Sequence, residues 1–525
     1  MMRRIPSSTV VLLLALGWAA RARAQESPKE PPTTAEAKSS ETKPPENPTP
    51  KEESSVTEHS SRVSGQSIPY KATASTTLLK NEKGEPTALV YSTAYTRSDV
   101  KDFSSRPIAF IYNGGPGSAS VWLHMGAFGP RRVVTENAAA TPPAPYKIVD
   151  NEYSLLDKAD LVFIDPVGTG FSHAVGKAQD KDFWGIDQDV KSLALFINTY
   201  ISRNNRWNSP KFLIGESYGT FRSVALGEYL RSEGGISVNG IILISSVLDL
   251  GTLAFSPGND ETYIFYLPTY AAVAWHYKMI KDSPGDLNAF LNDARQFASA
   301  EYAAALMKGS NLSATEKSDI AKKLSRFTGL NEDYLIKADL RVALPQFQAE
   351  LQRSRGLTVG RYDGRYSGPT YDLLTEYAEF DPSFSGVLGA FTAAFNNYVR
   401  SELKFGGDQT YRVLPTEPSQ NWDWKRRGVG PGSEFPGAPN VEGDLIREMI
   451  QNAQLQVQVE NGYFDMATPF FATEYTMDHL LLPADVQSRI HLQYYNAGHM
   501  MYLHEEDLAN LKGNVGTFID SAWKH

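Results

Sequence analysis

Short apolar runs recur along the chain from Pro107 onward, and each run ends in a glycine-rich or polar turn. Runs of this kind are typical of strands that are buried on both faces of a parallel sheet. Longer segments between them, such as 183–201 and 217–231, predict helices. The alternation predicts an α/β fold, in which helices cover both faces of a mostly parallel central sheet. The predicted strands are 108–112, 161–164, 212–214, 241–244, 455–459 and 490–495.

Residues 251–440 interrupt this alternation. We expect them to form an insertion, a largely helical cap, between the two parts of a core domain. The core domain then consists of residues 67–250 and 441–525. Within the insertion, the pattern predicts helices at 287–307 and 315–327, a Tyr- and Gly-rich stretch at 359–371, and a Gly- and Pro-dense loop at 428–439.

The amino-acid composition changes between residues 25–66 and the residues that follow them. Residues 25–66 consist mainly of Pro, Glu, Lys, Ser and Thr and carry almost nothing apolar, so they predict a disordered tether. Structure is expected to start near Ile68. Residues 72–79 and 88–96 have strand composition and flank a turn that contains Gly and Pro, which predicts a β-hairpin.

The first 24 residues have the pattern of an export signal. Two arginines precede an apolar run over 9–20, and Ala-Arg-Ala at 22–24 provides a small-x-small cleavage site. A membrane anchor is the alternative, but the run is shorter than the roughly 20 residues of a spanning helix, and arginines follow it directly. We expect cleavage after Ala24 and no stable membrane insertion afterwards.

The amino-acid composition and the net charge exclude several classes of protein. Of the 525 residues, 41% are hydrophobic and 21% are charged, which indicates a globular chain. Cysteine is absent, so disulfides, zinc fingers and cysteine nucleophiles are excluded. The formal net charge is −9, and loss of the four arginines in residues 1–24 would leave −13, which argues against a nucleic-acid partner. Export without cysteine favours a secreted or periplasmic protein of bacterial origin.

The strand at 212–214 leads into Gly215-Glu-Ser217-Tyr-Gly219, and a predicted helix follows. Gly-x-Ser-x-Gly in this context is the pattern of a nucleophile elbow, a sharp turn that presents the serine hydroxyl above the sheet. The alternative is a tight strand-to-helix turn with an inert serine. The strand before and the helix after favour Ser217 as a nucleophile.

A serine nucleophile needs a base and an acid that orients the base. Asp465 and His499 each follow a predicted strand of the C-terminal region, and the order Ser217, Asp465, His499 is that of α/β-hydrolases. Asp478 and Glu460 are the alternatives for the acid. We expect Asp478 to lie on a helix and Glu460 to come too early in its loop.

The sequence Asn113-Gly-Gly115-Pro-Gly117 follows the strand at 108–112. Three glycines let the backbone approach a ligand closely, so this loop can supply one N–H of an oxyanion hole, with the second from Tyr218. A phosphate-binding loop is the alternative, but its Lys-Ser/Thr pair and its glycine spacing are missing. No cofactor is needed for this chemistry, and no His/Asp cluster has metal-ligand spacing.

These motifs together resemble the serine carboxypeptidases, exopeptidases with an α/β-hydrolase fold. The resemblance implies a triad of Ser217, Asp465 and His499, oxyanion donors at Gly115 and Tyr218, and binding of the substrate's terminal carboxylate by Asn113 and Glu216. It therefore implies that peptide or protein C-termini are the substrates. The motifs that carry it, in chain order, are Asn113–Gly117, Asp165-Pro-Val-Gly-Thr-Gly-Phe-Ser172, Gly215–Gly219, Phe464-Asp465 and Gly498-His-Met500.

The sequence also departs from the family pattern. The family often has a Glu at the position of Ala127, so one carboxylate-binding acid is missing, while Tyr112 and Ser118 replace the usual Trp and Cys. Triad chemistry is unaffected by these changes, but exopeptidase specificity depends on the missing acid. An esterase, amidase or acyltransferase with the same triad therefore stays open, as does a catalytically silent binding protein.

Overall fold

The computed structural model describes residues 50–281, 285–426 and 437–524. The predicted signal at 1–24 and tether residues 25–49 lie outside the described residues, as does most of the loop predicted at 428–439. From Pro50 onward, the chain forms one compact unit.

Strands and α-helices of the described residues are numbered here in chain order. The strands are β1 (Ser54–Val63), β2 (Gln66–Lys80), β3 (Pro86–Arg97), β4 (Ile108–Tyr112), β5 (Arg131–Val133), β6 (Ile148–Asp150), β7 (Asp160–Ile164), β8 (His173–Ala174), β9 (Lys211–Glu216), β10 (Gly240–Ile244), β11 (Leu357–Val359), β12 (Ser367–Pro369), β13 (Gln456–Gly462) and β14 (Ile490–Tyr495). The helices are α1 (Ile186–Arg203), α2 (Tyr218–Ser232), α3 (Glu261–His276), α4 (Leu287–Phe297), α5 (Ala303–Lys308), α6 (Ala314–Thr328), α7 (Glu332–Lys337), α8 (Leu344–Glu350), α9 (Pro382–Ser401), α10 (Thr416–Gln420), α11 (Glu442–Gln451), α12 (Phe470–Asp478), α13 (Ala484–Gln487) and α14 (Glu505–Trp523).

One large sheet organises the molecule. Its strand order in the described residues is β1-β2-β3-β7-β4-β9-β10-β13-β14, and β8 pairs with β3. The six strands from β7 to β14 run parallel, whereas β1, β2 and β3 pair antiparallel. This confirms the predicted α/β fold with a mostly parallel sheet, and the predicted hairpin is the β2–β3 pair.

Both faces of the parallel strands are buried, which explains their apolar runs. Along β9, Phe212 and Ile214 pack in one hydrophobic cluster, and Leu213 packs in the cluster on the opposite face. The carboxyl ends of β4, β9, β13 and β14 carry the loops that hold the candidate catalytic residues. Parallel pairing therefore brings these loops to one edge of the sheet.

The tether prediction was wrong for residues 50–66. Residues 54–63 form the edge strand β1, which pairs antiparallel with β2 from Ser54–Ser75 to Val63–Gln66. Backbone hydrogen bonds hold this strand, while side-chain burial is confined mainly to its end at Ser61 and Val63. Because an edge strand with one solvated face needs few apolar residues, the composition gave no strand signal.

Residues 251–440 contribute no strand to the described part of the large sheet. Their helices α3–α8 enclose a third hydrophobic cluster, which also contains Phe464, Met466 and Phe470 of the C-terminal region. The helix predicted at 287–307 is instead α4 and α5 joined by a π-helical turn, Ala298–Tyr302. The insertion is thus packed on the loop that carries Asp465.

Candidate active site

Ser217 occupies the sharp turn between β9 and α2. Its backbone has φ 60° and ψ −129°, in a region that a side-chain-bearing residue rarely adopts. A Cβ at Gly215 would lie 2.1 Å from the carbonyl oxygen of Gly219, so the turn cannot close with a larger residue at 215. Ser217 is half-buried at the start of α2. This is the geometry expected of a nucleophile elbow.

His499 and Asp465 are hydrogen-bonded to each other, with 2.8 Å between Nδ1 and Oδ2. Asp465 is fully buried and accepts three further hydrogen bonds, from the backbone N–H groups of Ala467 and Thr468 and from the Thr468 hydroxyl. Neither alternative acid takes this place. Asp478 is exposed at the end of α12, and Glu460 instead accepts from Gln458 and Tyr495.

Burial of the His499 imidazole opposes its protonation, but the charge and hydrogen bond of Asp465 outweigh this effect and raise the pKa of His499 above 6.5. The Arg361 guanidinium acts in the opposite direction and lowers the pKa of His499. Arg361 stacks on the ring of Tyr362, which in turn lies 5.1 Å from the imidazole between ring centres. The insertion therefore contributes to the electrostatics of the histidine.

The end of β10 connects the elbow to the histidine loop through two hydrogen bonds. The Ser217 N–H donates to the Ile244 carbonyl over 3.0 Å, and the hydroxyl of Ser245, which follows Ile244, donates to the His499 carbonyl over 2.7 Å. A separate hydrogen bond joins the histidine loop to the insertion, because the His499 N–H donates to the carbonyl of Tyr362. The end of β10 and the insertion thus both hold the histidine loop at the elbow.

The loop Asn113–Gly117 packs against the start of α2. A Cβ at Gly114 would lie 2.4 Å from the Tyr218 nitrogen, so only glycine allows the two backbones this close. Gly115 has φ +100° and Gly117 has φ +97°, in the region that favours glycine. The structure therefore brings the two predicted oxyanion segments, at Gly115 and Tyr218, side by side.

Asn113 and Glu216 lie beside the elbow. Both are buried, and Glu216 accepts a hydrogen bond from the Tyr502 hydroxyl, with 2.7 Å from oxygen to Oε2. Burial raises the pKa of Glu216 to about 7, although His499, Tyr502 and Asn113 each favour the ionised form. Asn113 Oδ1 accepts from the Leu123 N–H, while its Nδ2 is buried with no hydrogen-bond partner in the described residues.

The buried ion pair between Arg222 and Asp189 contacts the loop Asn113–Gly117. Arg222 of α2 donates from Nε to Asp189 over 2.6 Å and from Nη1 to the carbonyl of Asn113 over 2.5 Å. Its guanidinium also lies over the rings of Tyr112 and Tyr218. Arg222 thus contacts both segments of the predicted oxyanion hole.

Four residues of the site lie outside the motifs predicted from the sequence: Tyr362, Thr468, Tyr502 and Arg222. Thr468 had a signal available, because a hydroxyl residue three positions after Asp465 can bond back to it. The others carry no such signal, since their partners lie far away in the chain; Tyr502 and Glu216 are 286 residues apart.

Among residues 50–281, 285–426 and 437–524, no group of three or more His, Asp or Glu side chains is placed to hold a metal ion. None of the helices described there is both long enough and apolar enough to cross a bilayer.

Part of the chain is similar in sequence to serine carboxypeptidases. Residues 69–223 match the family model for serine carboxypeptidase. Serine carboxypeptidase-like 45 of Arabidopsis thaliana is 25% identical over 232 residues, which are 43% of this chain and 44% of that protein. Pheromone-processing carboxypeptidase KEX1 of Saccharomyces cerevisiae is 32% identical over 131 residues, 24% of this chain and 17% of that protein. The chain thus spans less than half the length of these curated relatives.

The fold likeness extends further than the sequence likeness. The crystal structure of KEX1(delta)p, a prohormone-processing carboxypeptidase from Saccharomyces cerevisiae, matches with a TM-score of 0.52 and 18% identity, over 86% of this chain and 92% of that chain. At this identity, the likeness concerns the fold. The chain therefore resembles serine carboxypeptidases in sequence over residues 69–223, and it shares the fold of KEX1(delta)p over most of its length.

Proposed function

We propose that this chain is an exported serine carboxypeptidase that hydrolyses the C-terminal peptide bond of its substrates. The observation that carries the proposal is the placement of Glu216 and Asn113. Glu216 directly precedes Ser217, and Asn113 lies close enough to Glu216 to act on its pKa, so a protonatable carboxyl and an amide donor adjoin the nucleophile. A terminal carboxylate that is bound there would place the last peptide bond at the nucleophile.

In the proposed reaction, Ser217 Oγ attacks the carbonyl carbon of the last peptide bond while His499 takes the hydroxyl proton. Asp465 holds the imidazole in the required tautomer through Nδ1. The N–H groups of Gly115 and Tyr218 stabilise the oxyanion. The C–N bond then breaks, His499 protonates the leaving amine, and water hydrolyses the acyl-enzyme on Ser217 by the same steps in reverse roles.

Recognition of the carboxylate depends on the protonation of Glu216. Two carboxylates in contact cannot both stay ionised, so Glu216 must be neutral to donate a hydrogen bond to the ligand. The raised pKa of Glu216, about 7, supports a neutral carboxyl at acid pH. Asn113 Nδ2 supplies a second donor: it lies near Glu216 and favours its ionised form, but it makes no hydrogen bond of good geometry within the described residues.

The test compares matched peptides with a free-acid and an amidated C-terminus. We expect free-acid peptides to be favoured by at least about 10² in kcat/KM at acid pH, because a site built around a hydrogen bond rejects an analogue that cannot form it. A fluorophosphonate should label Ser217 alone, with Ser217→Ala as the control. Equal cleavage of amides and free acids would refute the carboxypeptidase proposal.

The alternative is an esterase, amidase or acyltransferase that uses the same triad. Ala127 favours it, since this fully buried position lacks the acid that the family often has there. Simple ester substrates distinguish the two proposals. If they are hydrolysed as well as free-acid peptides, and if Glu216→Gln leaves that ratio unchanged, the alternative replaces the carboxypeptidase.

Export to a secreted or periplasmic location belongs to the same proposal. It rests on the composition of residues 1–24 and not on the described structure. N-terminal sequencing of the protein recovered from outside the producing cell should give Gln25 as the first residue. A retained Met1 would refute the predicted cleavage.

A further inference from the structure

We propose that Tyr502 is a positioning residue that directs the proton of Glu216 toward the carboxylate of the substrate. The proposal rests on the proposed carboxypeptidase function. It assigns a role to a side chain that neither the motifs nor the triad chemistry requires.

The contact between Tyr502 and Glu216 is built into the packing of the site. The Tyr502 hydroxyl lies 2.7 Å from Glu216 Oε2, and both side chains are buried. A Cβ at Gly126 would lie 2.6 Å from the Tyr502 ring, so the ring occupies space that only glycine leaves open. Gly126 and Ala127 are neighbours in the π-helical turn Leu123–Phe128. The absence of a side chain at Gly126 therefore leaves the space that the tyrosine ring fills.

The direction of this hydrogen bond decides where the proton of Glu216 resides. Burial raises the pKa of the Tyr502 hydroxyl well above its usual value, so the hydroxyl keeps its hydrogen. Its acceptor is Glu216 Oε2, and the neighbouring Asn113 Nδ2 is itself a donor. With Oε2 accepting from Tyr502, the proton of neutral Glu216 is favoured on Oε1. Oε1–H and Asn113 Nδ2–H are then the two donors for the two oxygens of a carboxylate.

Other titrating groups around Glu216 act on it in different directions. His499 of the C-terminal region lowers the pKa of Glu216, and Asp465 raises it. Tyr362 of the insertion also interacts with Glu216 electrostatically. These groups affect the charge of Glu216 without determining which oxygen holds the proton. Of the named neighbours, Tyr502 is the one that donates to a defined oxygen of this carboxyl.

The test is Tyr502→Phe, which removes one oxygen atom. The readout is kcat/KM for a free-acid peptide divided by kcat/KM for a matched ester without a carboxylate, measured across pH. We expect this ratio to fall about tenfold at acid pH, because the proton of Glu216 loses its fixed position. We also expect the alkaline loss of free-acid cleavage to move to higher pH, because the ionised form of Glu216 loses a donor.

Tyr495→Phe is a matched control. The Tyr495 hydroxyl donates to the buried Glu460 over 2.6 Å, and burial raises the pKa of Glu460 to about 7, as it does for Glu216. The Tyr495–Glu460 pair is also a tyrosine hydroxyl that donates to a buried carboxyl, but Glu460 is not part of the proposed carboxylate site. Removal of the Tyr495 hydroxyl should therefore leave the ratio of free-acid to ester kcat/KM, and the alkaline limb of the pH profile, as in the wild type. In the Glu216→Gln background, Tyr502→Phe should shift no alkaline limb, because no proton titrates there.

The outcomes separate the two proposals. If the wild type does not prefer free acids, the proposed function fails, whatever Tyr502 does. If the wild type prefers them and Tyr502→Phe lowers both substrates equally or leaves the alkaline limb in place, the positioning role is refuted.

Should Tyr502→Phe not fold, Glu216→Gln in the otherwise wild-type chain carries the test. The Tyr502 hydroxyl then holds the amide oxygen and the amide NH₂ faces the ligand. Free-acid peptides should keep at least about a tenth of their kcat/KM at acid pH, within the range of one hydrogen bond. A larger loss refutes the positioning role.

Discussion

Asp465 Oδ2 accepts a hydrogen bond from His499 Nδ1 over 2.8 Å, and the same oxygen accepts from the Thr468 hydroxyl over 2.7 Å. Two backbone N–H groups hold the other oxygen, Oδ1. Hydrogen bonds to both oxygens therefore fix the orientation of the carboxylate toward the imidazole. Its position depends on residues that follow it directly in the chain.

Asp465→Asn should leave the fold intact and lower kcat by about 10⁴, as in the well-studied Ser-His-Asp triads where the amide favours the wrong tautomer. Steady-state kinetics with a free-acid peptide measure this effect, and thermal unfolding verifies the fold. Asp478→Asn is the control, because Asp478 is exposed on α12. A loss of less than tenfold in Asp465→Asn would contradict the assignment of this acid.

The pH profile should differ between substrate classes. His499 acts as a base only when neutral, so activity on esters should rise with pH through a pKa raised above 6.5. Free-acid peptides also need neutral Glu216, which is lost as pH rises through about 7. Their kcat/KM should therefore follow a bell, whereas that of esters should reach a plateau. A bell with the same alkaline limb for both substrates would contradict a role of Glu216 in carboxylate binding.

Gly114→Ala should damage the oxyanion hole, since its methyl group would lie 2.4 Å from the Tyr218 nitrogen and 2.6 Å from that of Gly219. We expect kcat to fall by about 10²–10³, the effect of losing one oxyanion donor. Gly513→Ala in α14 is the control, because nothing lies within 4 Å of its added Cβ. That variant should keep wild-type kinetics, and normal kinetics in Gly114→Ala would contradict the predicted hole.

The Arg222–Asp189 ion pair should matter for stability. Both side chains are buried, so Asp189→Ala leaves an unpaired buried charge and should cost about 3–5 kcal/mol of unfolding free energy. Urea unfolding measures this cost. Glu152→Ala is the control, because the Arg62–Glu152 pair is more than half exposed and should contribute at most about 1 kcal/mol. Equal costs for the two variants would contradict this distinction.

Deletion of residues 50–63 should destabilise the protein. It removes β1, uncovers the edge of β2, and takes away the buried Val63. We expect the melting temperature to fall by about 5 °C or more, which corresponds to roughly 1 kcal/mol or more in a domain of this size. Deletion of residues 25–49 is the comparison, since their composition predicts little contribution to a core. An unchanged melting temperature without β1 would show that the strand is dispensable.

The order of residues along the chain is enough to predict the parallel core and the local chemistry of the site. Apolar runs such as 108–112 coincide with buried strands, because burial on both faces requires apolar residues at every position. The elbow at Ser217 could also be predicted, since Gly215 is required by its contact with the carbonyl of Gly219, four residues later. Such features depend on neighbours along the chain, which a sequence pattern records.

Contacts between side chains far apart in the chain become visible in the folded molecule alone. The fold placed Tyr502 against Glu216 and Tyr362 against His499, and it paired β1 with β2, although the composition of residues 54–63 predicted no strand. An edge strand is held by backbone hydrogen bonds, which every sequence can form. A contact across 286 residues depends on the packing of several elements at once, and no spacing along the chain encodes that packing.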